Sequence, residues 1–321
     1  MSSMLVSPFA ERIAAFIEQK RRLGFPYTVS EFILLQFDRF CIEHFPDGIM
    51  LSKEIALAWA VKRHTEQNNA FRNRLAPVRE FAKYLIRSGE SAYVIPPHYV
   101  RRTARGLPYI YTETEIAAIW QSLDELTPCP NLPARHLVIP AIIRLLYCCG
   151  LRPGEACKLK TGDVDLKSGK IFIRESKGHK DRIVMLADDV NAYYFRYNKS
   201  VSRLLPNREW FFPSGDHAYT ISGLDRSYRE ILDKTGIFKS IQDLPILYGF
   251  RHTFATHRLY QWLCEGKDLT SMLPYLSAYM GHARLSDTYY YIHFVPEQFQ
   301  AMSGLDFTKY EALLPEADYY D

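Results

Sequence analysis

DVDLKSGKIFIRESKGHKDRIVML, residues 163–186, is where the helical spacing of apolar residues in this 321-residue chain gives way to strand-like runs. Ile171-Phe172-Ile173 and Ile183-Val184-Met185 are apolar and rich in β-branched residues. Lys167-Ser168-Gly169 and Lys177-Gly178-His179 have the composition of the turns between them. A short antiparallel sheet fits. The flanking sequence on both sides reads as helix, so the expected fold class is mainly α with a small antiparallel β-sheet.

Working toward the N-terminus, Leu137 to Cys149 is a strong apolar run, and Thr112 to Glu115 has capping-box spacing that opens this domain. Residues 91–111 contain Pro96-Pro97, Gly106-Leu107-Pro108 and the cluster Arg101, Arg102 and Arg105, with neither helical nor strand periodicity. They read as a linker. Before it, Ser7-Pro8 resembles an N-cap and N1 proline, Thr28 and Glu31 a second capping box, and Ser52 to Trp59 a third helix. A fourth helix spans about Asn69 to Arg87 and carries Arg72, Arg74, Arg79 and Lys83. The expected division is therefore a helical domain over 1–104 and a second domain over 110–321. Toward the C-terminus, a short amphipathic tail helix is expected at about 297–314.

Hydrophobic residues make up 47% of the chain and charged residues 24%, enough apolar content for two ordinary cores. No apolar run approaches the roughly 18 residues that a membrane span requires. MSSMLVSPFAER has no basic start followed by an apolar core, so a cytoplasmic location without a membrane partner is expected. The six cysteines form no CxxC pair and no zinc-like spacing with histidine, so reduced thiols are expected and no metal site. The net charge of +4 is mild, but its distribution is uneven. Residues 1–109 hold 16 of the 40 basic and 10 of the 36 acidic residues, a balance of +6 against −2 for the rest. A basic first domain suits a phosphate backbone, and a solvated basic face explains it equally well.

The residues with chemical promise are weak one at a time. Arg152, after Gly150-Leu151, could cap the carbonyls of a helix end, Arg251 and His252 could open a polar helix, and His282 could bond locally. Together they fall in four stretches: LLYCCGLRPGEACKLKTGDVD, SKGHKDRIVML, YGFRHTFATH and YMGHARLSDTYYYIH. In that order and with those gaps, the chain resembles the tyrosine recombinase or phage integrase family, Xer-type dimer resolvases and mobile-element integrases included.

The resemblance implies a helical, SAM-like core-binding domain followed by a catalytic domain that cuts and rejoins DNA through a 3′-phosphotyrosyl intermediate. It makes Arg152 and Arg251 the two active-site arginines, Lys177 the mobile lysine, His282 the histidine of the Gly-His motif, and Tyr291 the nucleophile nine residues later. Glu155 matches the acidic residue that helps hold the first arginine. The family usually has histidine three residues before its second arginine, and this chain has Tyr248. No cofactor is implied, since the covalent bond conserves the phosphodiester energy and no Walker-type loop or Mg²⁺-binding carboxylate cluster is present in the sequence.

Double-stranded DNA is the implied partner, with Arg72, Arg74, Arg79, Lys83, Arg101 and Arg102 as expected phosphate contacts. Two protomers per site and four per synapse follow from the resemblance, with a second recombinase as an optional partner and the tail helix packing on a neighbour or on its own core. Integration, excision, transposition and dimer resolution share this chemistry. Two rival readings stand beside it. A type IB topoisomerase has a closely similar site, and a DNA-binding protein with a decayed site would account for Tyr248.

Overall fold

In the computed structural model, which describes residues 5–101, 108–176, 180–238 and 244–293 (backbone only at 175, 176, 180 and 293), the strand-like stretch folds into three antiparallel strands. They are β1 (Val164–Asp165), β2 (Lys170–Ser176) and β3 (Lys180–Met185), in that order across the sheet. Asp165 builds the first turn by accepting from the Lys167 and Ser168 amides at 3.0 and 3.3 Å, while Gly169 takes a φ of +66°. Ile171 pairs with Val184 and Phe172 with Ile183. The pleat buries Ile171, Ile173 and Val184 and leaves Ile183 and Met185 half exposed.

The described residues form two compact units, one ending before the undescribed 102–107 and the other beginning after them. The first holds α1 (Ala10–Arg22), α2 (Thr28–His44), α3 (Lys53–Trp59) and α4 (Asn68–Arg87). Phe9, Phe16, Phe37, Phe81, Leu34 and Leu75 form its buried core, and truncating any one to alanine costs about 2–5 kcal/mol. Ser7 starts the chain's first turn: its hydroxyl accepts from the Phe9 amide at 3.1 Å and donates to the buried Asp38 carboxylate at 2.5 Å. Ser52 caps α3 by accepting from the Ile55 amide at 3.2 Å.

Two local expectations fail here. The Thr28–Glu31 capping box does not form. Tyr27, in the left-handed region at φ 55°, precedes α2 without a side-chain cap, and Glu31 pairs with Arg21 at 2.5 Å. The stretch read as a linker belongs partly to the first unit. Ile95 and Val100 are buried in its core, and Pro97–Tyr99 is a turn of 3₁₀ helix. The prolines that suppressed periodicity there did not prevent packing.

The second unit contains α5 (Glu113–Asp124), α6 (Arg135–Cys149), α7 (Pro153–Cys157), the sheet, α8 (Asp188–Leu204), the hairpin β4 (Pro213–Ser214) and β5 (His217–Ala218), α9 (Ile221–Thr235), α10 (Tyr248–Cys264), α11 (Leu269–Met280) and α12 (Ser286–Tyr289). The Thr112–Glu115 capping box forms as expected, with bonds of 3.3 and 2.8 Å. α6 is apolar nearly all round and packs among α5, α8 and α10, so it is the axis of this unit. Phe211 and Phe212 join that core. No described helix is long and apolar enough to cross a membrane. The expected tail helix at 297–314 lies outside the described residues.

Candidate active site

Two helix ends build this site. α6 stops at Gly150, whose φ of +59° is left-handed and whose Cβ, if present, would lie 2.4 Å from Phe254. Only glycine fits both conditions. Leu151 is buried, and Arg152 then sits in extended backbone as the residue before Pro153 at the first position of α7. Glu155 receives the Arg152 amide at 3.0 Å on one carboxylate oxygen and the Arg152 guanidinium at 2.7 Å on the other.

α11 ends in a Schellman motif. The Gly281 amide donates to Ala278 O at 3.1 Å and the His282 amide to Ser277 O at 3.0 Å, with Gly281 at φ +67°. The next three carbonyls, unpaired within the helix, each accept from an arginine. Tyr279 O takes Arg182 Nε at 2.9 Å, Met280 O takes Arg251 Nη2 at 2.8 Å, and Gly281 O takes Arg152 Nη2 at 2.9 Å. Three cations at the negative end of a helix satisfy its orphan acceptors and its dipole together. Arg251 also donates to Gly150 O at 2.6 Å, so it clamps the ends of α6 and α11 from the first turn of α10.

Tyr291 lies in a 3₁₀ turn after α12 and is 3% exposed. Its ring stacks on His282 at 5.9 Å and 18°, and His252 lies 5.5 Å away. Burial pushes its phenol up to about 12, opposed by the charge of Arg251 and a hydrogen bond from it. Neighbouring Tyr289 and Tyr290 are less buried. His282 Nδ1 lies 2.7 Å from the hydroxyl of fully buried Thr288. Burial first, then Arg251, Arg152 and Arg182, push its imidazole down to about 3, so it is neutral at cellular pH. Tyr248 is 36% exposed at the start of α10 and bonds to the Arg152 side chain.

The structure thus brings Arg152, Glu155, Tyr248, Arg251, His282 and Tyr291 into one site. Lys177 falls on residues 177–179, outside the described ones, as does Arg102. Sequence reasoning missed Arg182 and Thr288, and it weighed His252 without assigning it to the site. Arg182 left a signal. It shares strand parity with Val184 and Leu186, so it points to the buried face, where a cation needs a partner.

Among the expected phosphate contacts, Arg74 is a correction. It is buried, paired with Glu66 through two bonds of 2.7 and 2.8 Å, and donates to Trp59 O and Val61 O. A guanidinium so engaged holds the α3–α4 connection together and is not presented to a DNA backbone. Arg79, only partly buried, donates to Ile95 O at 2.7 Å and Pro96 O at 3.1 Å and ties the following segment to α4. Lys83 pairs with Glu80 at 2.8 Å on the surface, Arg72 makes no ion pair among the described residues, and Arg101 is exposed.

Residues 111–298 match the model of the phage integrase family. The chain is 28% identical to a putative integrase/recombinase, y4rB, of Sinorhizobium fredii, over 91% of this chain and 95% of that one. It is 30% identical to the tyrosine recombinase XerA of Thermococcus kodakarensis, over 70% of this chain and 72% of that one. In fold it is similar to the XerH site-specific recombinase bound to a palindromic difH substrate in a post-cleavage complex. That similarity has a TM-score of 0.62 and 19% identity, over 85% of this chain and 78% of that one.

Proposed function

The chain belongs to the phage integrase family as a tyrosine-type site-specific recombinase, and from that premise we propose that it cuts and rejoins double-stranded DNA through a 3′-phosphotyrosyl bond to Tyr291. The observation that carries this reading is the burial of Tyr291 against Arg251 and His282, in the same cluster as Arg152.

In the proposed step the Tyr291 oxygen attacks the scissile phosphorus, an O–P bond forms, and the 5′-oxygen leaves and takes up a proton. Negative charge grows on the nonbridging oxygens, where two guanidiniums held by backbone carbonyls are preorganised to meet it. Each guanidinium has five N–H donors, so the carbonyl bonds leave others for a phosphate. Neutral His282 is the proposed proton acceptor for Tyr291, and Tyr248 a hydrogen-bond donor to the phosphate. Lys177 is the proposed proton donor to the leaving oxygen. Attack by a second 5′-hydroxyl reverses the step on a new strand, so ATP is not needed, and the guanidiniums provide the cationic charge that the step requires.

The first unit is the proposed grip on the duplex, with two protomers per site and four per synapse. The similarity to an integrase of Sinorhizobium fredii and to Xer recombinases supports integration, excision, transposition or dimer resolution as the setting, all by this one reaction.

The test uses a duplex that the protein selects from a random-sequence pool, nicked near its centre so that cleavage cannot reverse. In EDTA and without ATP, a denaturation-resistant protein–DNA adduct should accumulate, then release a joined product when a strand with a free 5′-hydroxyl is added. Joining without any adduct, or dependence of the adduct on metal, would contradict the proposal.

A further inference from the structure

The Glu155 side chain is largely enclosed, and a carboxylate beside an arginine clamp is electrostatically awkward. It fixes Arg152 in place, yet its negative charge opposes the arrival of a phosphate. Its two oxygens are also bound by a second guanidinium, at 2.9 Å from Arg182 Nη1 and 2.7 Å from Nη2. Arg182 and Glu155 are both 8% exposed and Arg152 17%, so water screens this cluster poorly. Burial would raise the Glu155 carboxyl, but Arg182 ahead of Arg152 holds it down at about 2. The third donor of Arg182, Nε, reaches Tyr279 O, and its side chain fills the space where a Cβ on Gly281 would stand, 3.0 Å from Cδ. Arg182 therefore touches the carboxylate that holds Arg152 and the helix end that holds both clamp arginines.

We propose that Arg182 is a positioning residue that neutralises Glu155, so that Glu155 can orient Arg152 while the site keeps the full positive charge of both clamp arginines for the phosphate. The proposal rests on the recombinase reading above. It separates charge from scaffolding, because Arg152, Glu155 and Arg182 together carry one net positive charge, and loss of Arg182 cancels it. A buried pair that served only stability would not distinguish a charged substrate from a neutral one.

The experiment measures single-turnover adduct formation at saturating DNA on two nicked duplexes. One carries the natural phosphodiester at the cleaved position. The other carries a methylphosphonate, in which a neutral methyl group replaces one nonbridging oxygen. Arg182→Gln should slow the phosphodiester by about tenfold or more and the methylphosphonate by less than about threefold. Glu155→Gln combined with Arg182→Gln restores the parent's net charge. It should react faster on the phosphodiester than Arg182→Gln alone, with a phosphodiester-to-methylphosphonate ratio near the parent's. Equal slowing of both substrates by Arg182→Gln, or no recovery in the double variant, overturns the proposal. Should Arg182→Gln not fold, the double variant decides alone, and a ratio well below the parent's overturns it. Failure of the parent to form an adduct on either duplex would instead sink the recombinase reading itself.

Discussion

A phenol buried to 3% exposure and pushed up to about 12 is a poor nucleophile until something takes its proton. Arg251 favours the phenolate by charge and hydrogen bond, and His282, stacked on the ring, is the proposed acceptor. The depressed value of His282 has a sign that can be checked. The unfolded chain binds that proton near pH 6.5 and the folded chain only near 3, so stability present above 6.5 is lost as pH falls below it. Imidazole NMR of the free protein should find His282 neutral through pH 5, and a titration near 6.5 would contradict this environment. Tyr248→Phe should slow adduct formation by the equivalent of about 1–3 kcal/mol, an unmade bond to a charged group. His282→Ala should cost more, and Tyr248→His should stay active; a parent-like rate for both Tyr248→Phe and His282→Ala would refute the division of labour. At this scale, the arginines, histidine and tyrosine named from the motifs stood out as chemistry-bearing residue types, and the structure gathers Arg152, Arg251, His282 and Tyr291 into one cluster. Thr288 did not stand out, since a threonine in SDTYY gives no sign that it will bond to a histidine six positions earlier.

The C-terminal end of α11 explains why the site contains a Gly-His pair at all. Gly281 is needed twice, for its left-handed φ and because Arg182 occupies the space beside it. Gly24 is a control: it is equally left-handed at φ +84° but has nothing within 4 Å of its would-be Cβ. Gly24→Ala should cost about 1–2 kcal/mol of stability and leave cleavage alone. Gly281→Ala should cost that much and also depress adduct formation by displacing Arg182. Parent-like cleavage by folded Gly281→Ala would show that the close approach is unimportant. The strands and the Thr112 capping box were readable because local spacing decides them. The Thr28–Glu31 box was not, because α2 already begins at Thr28 and its N-cap position falls on Tyr27, while Glu31 pairs with Arg21.

Across the whole molecule, the excess of basic residues in the first 109 was a correct count and an incomplete guide. Arg74 and Arg79 contribute to that excess, yet their donors serve Glu66 and backbone carbonyls, which no composition reveals. Arg74→Ala leaves Glu66 without its partner and should cost about 3–5 kcal/mol in denaturant unfolding. Arg72→Ala with Lys83→Ala should leave stability near the parent's, weaken DNA binding at all sequences alike and flatten its salt dependence. An unchanged salt slope would mark those two as solvated surface. The most direct test of the central claim is mass spectrometry of the proteolysed covalent adduct, which reports the residue that carries the nucleotide. The account predicts the modification on Tyr291, and its absence from Tyr291→Phe but not from Tyr289→Phe or Tyr290→Phe. A nucleotide on any other residue, or an adduct that survives Tyr291→Phe, would contradict it.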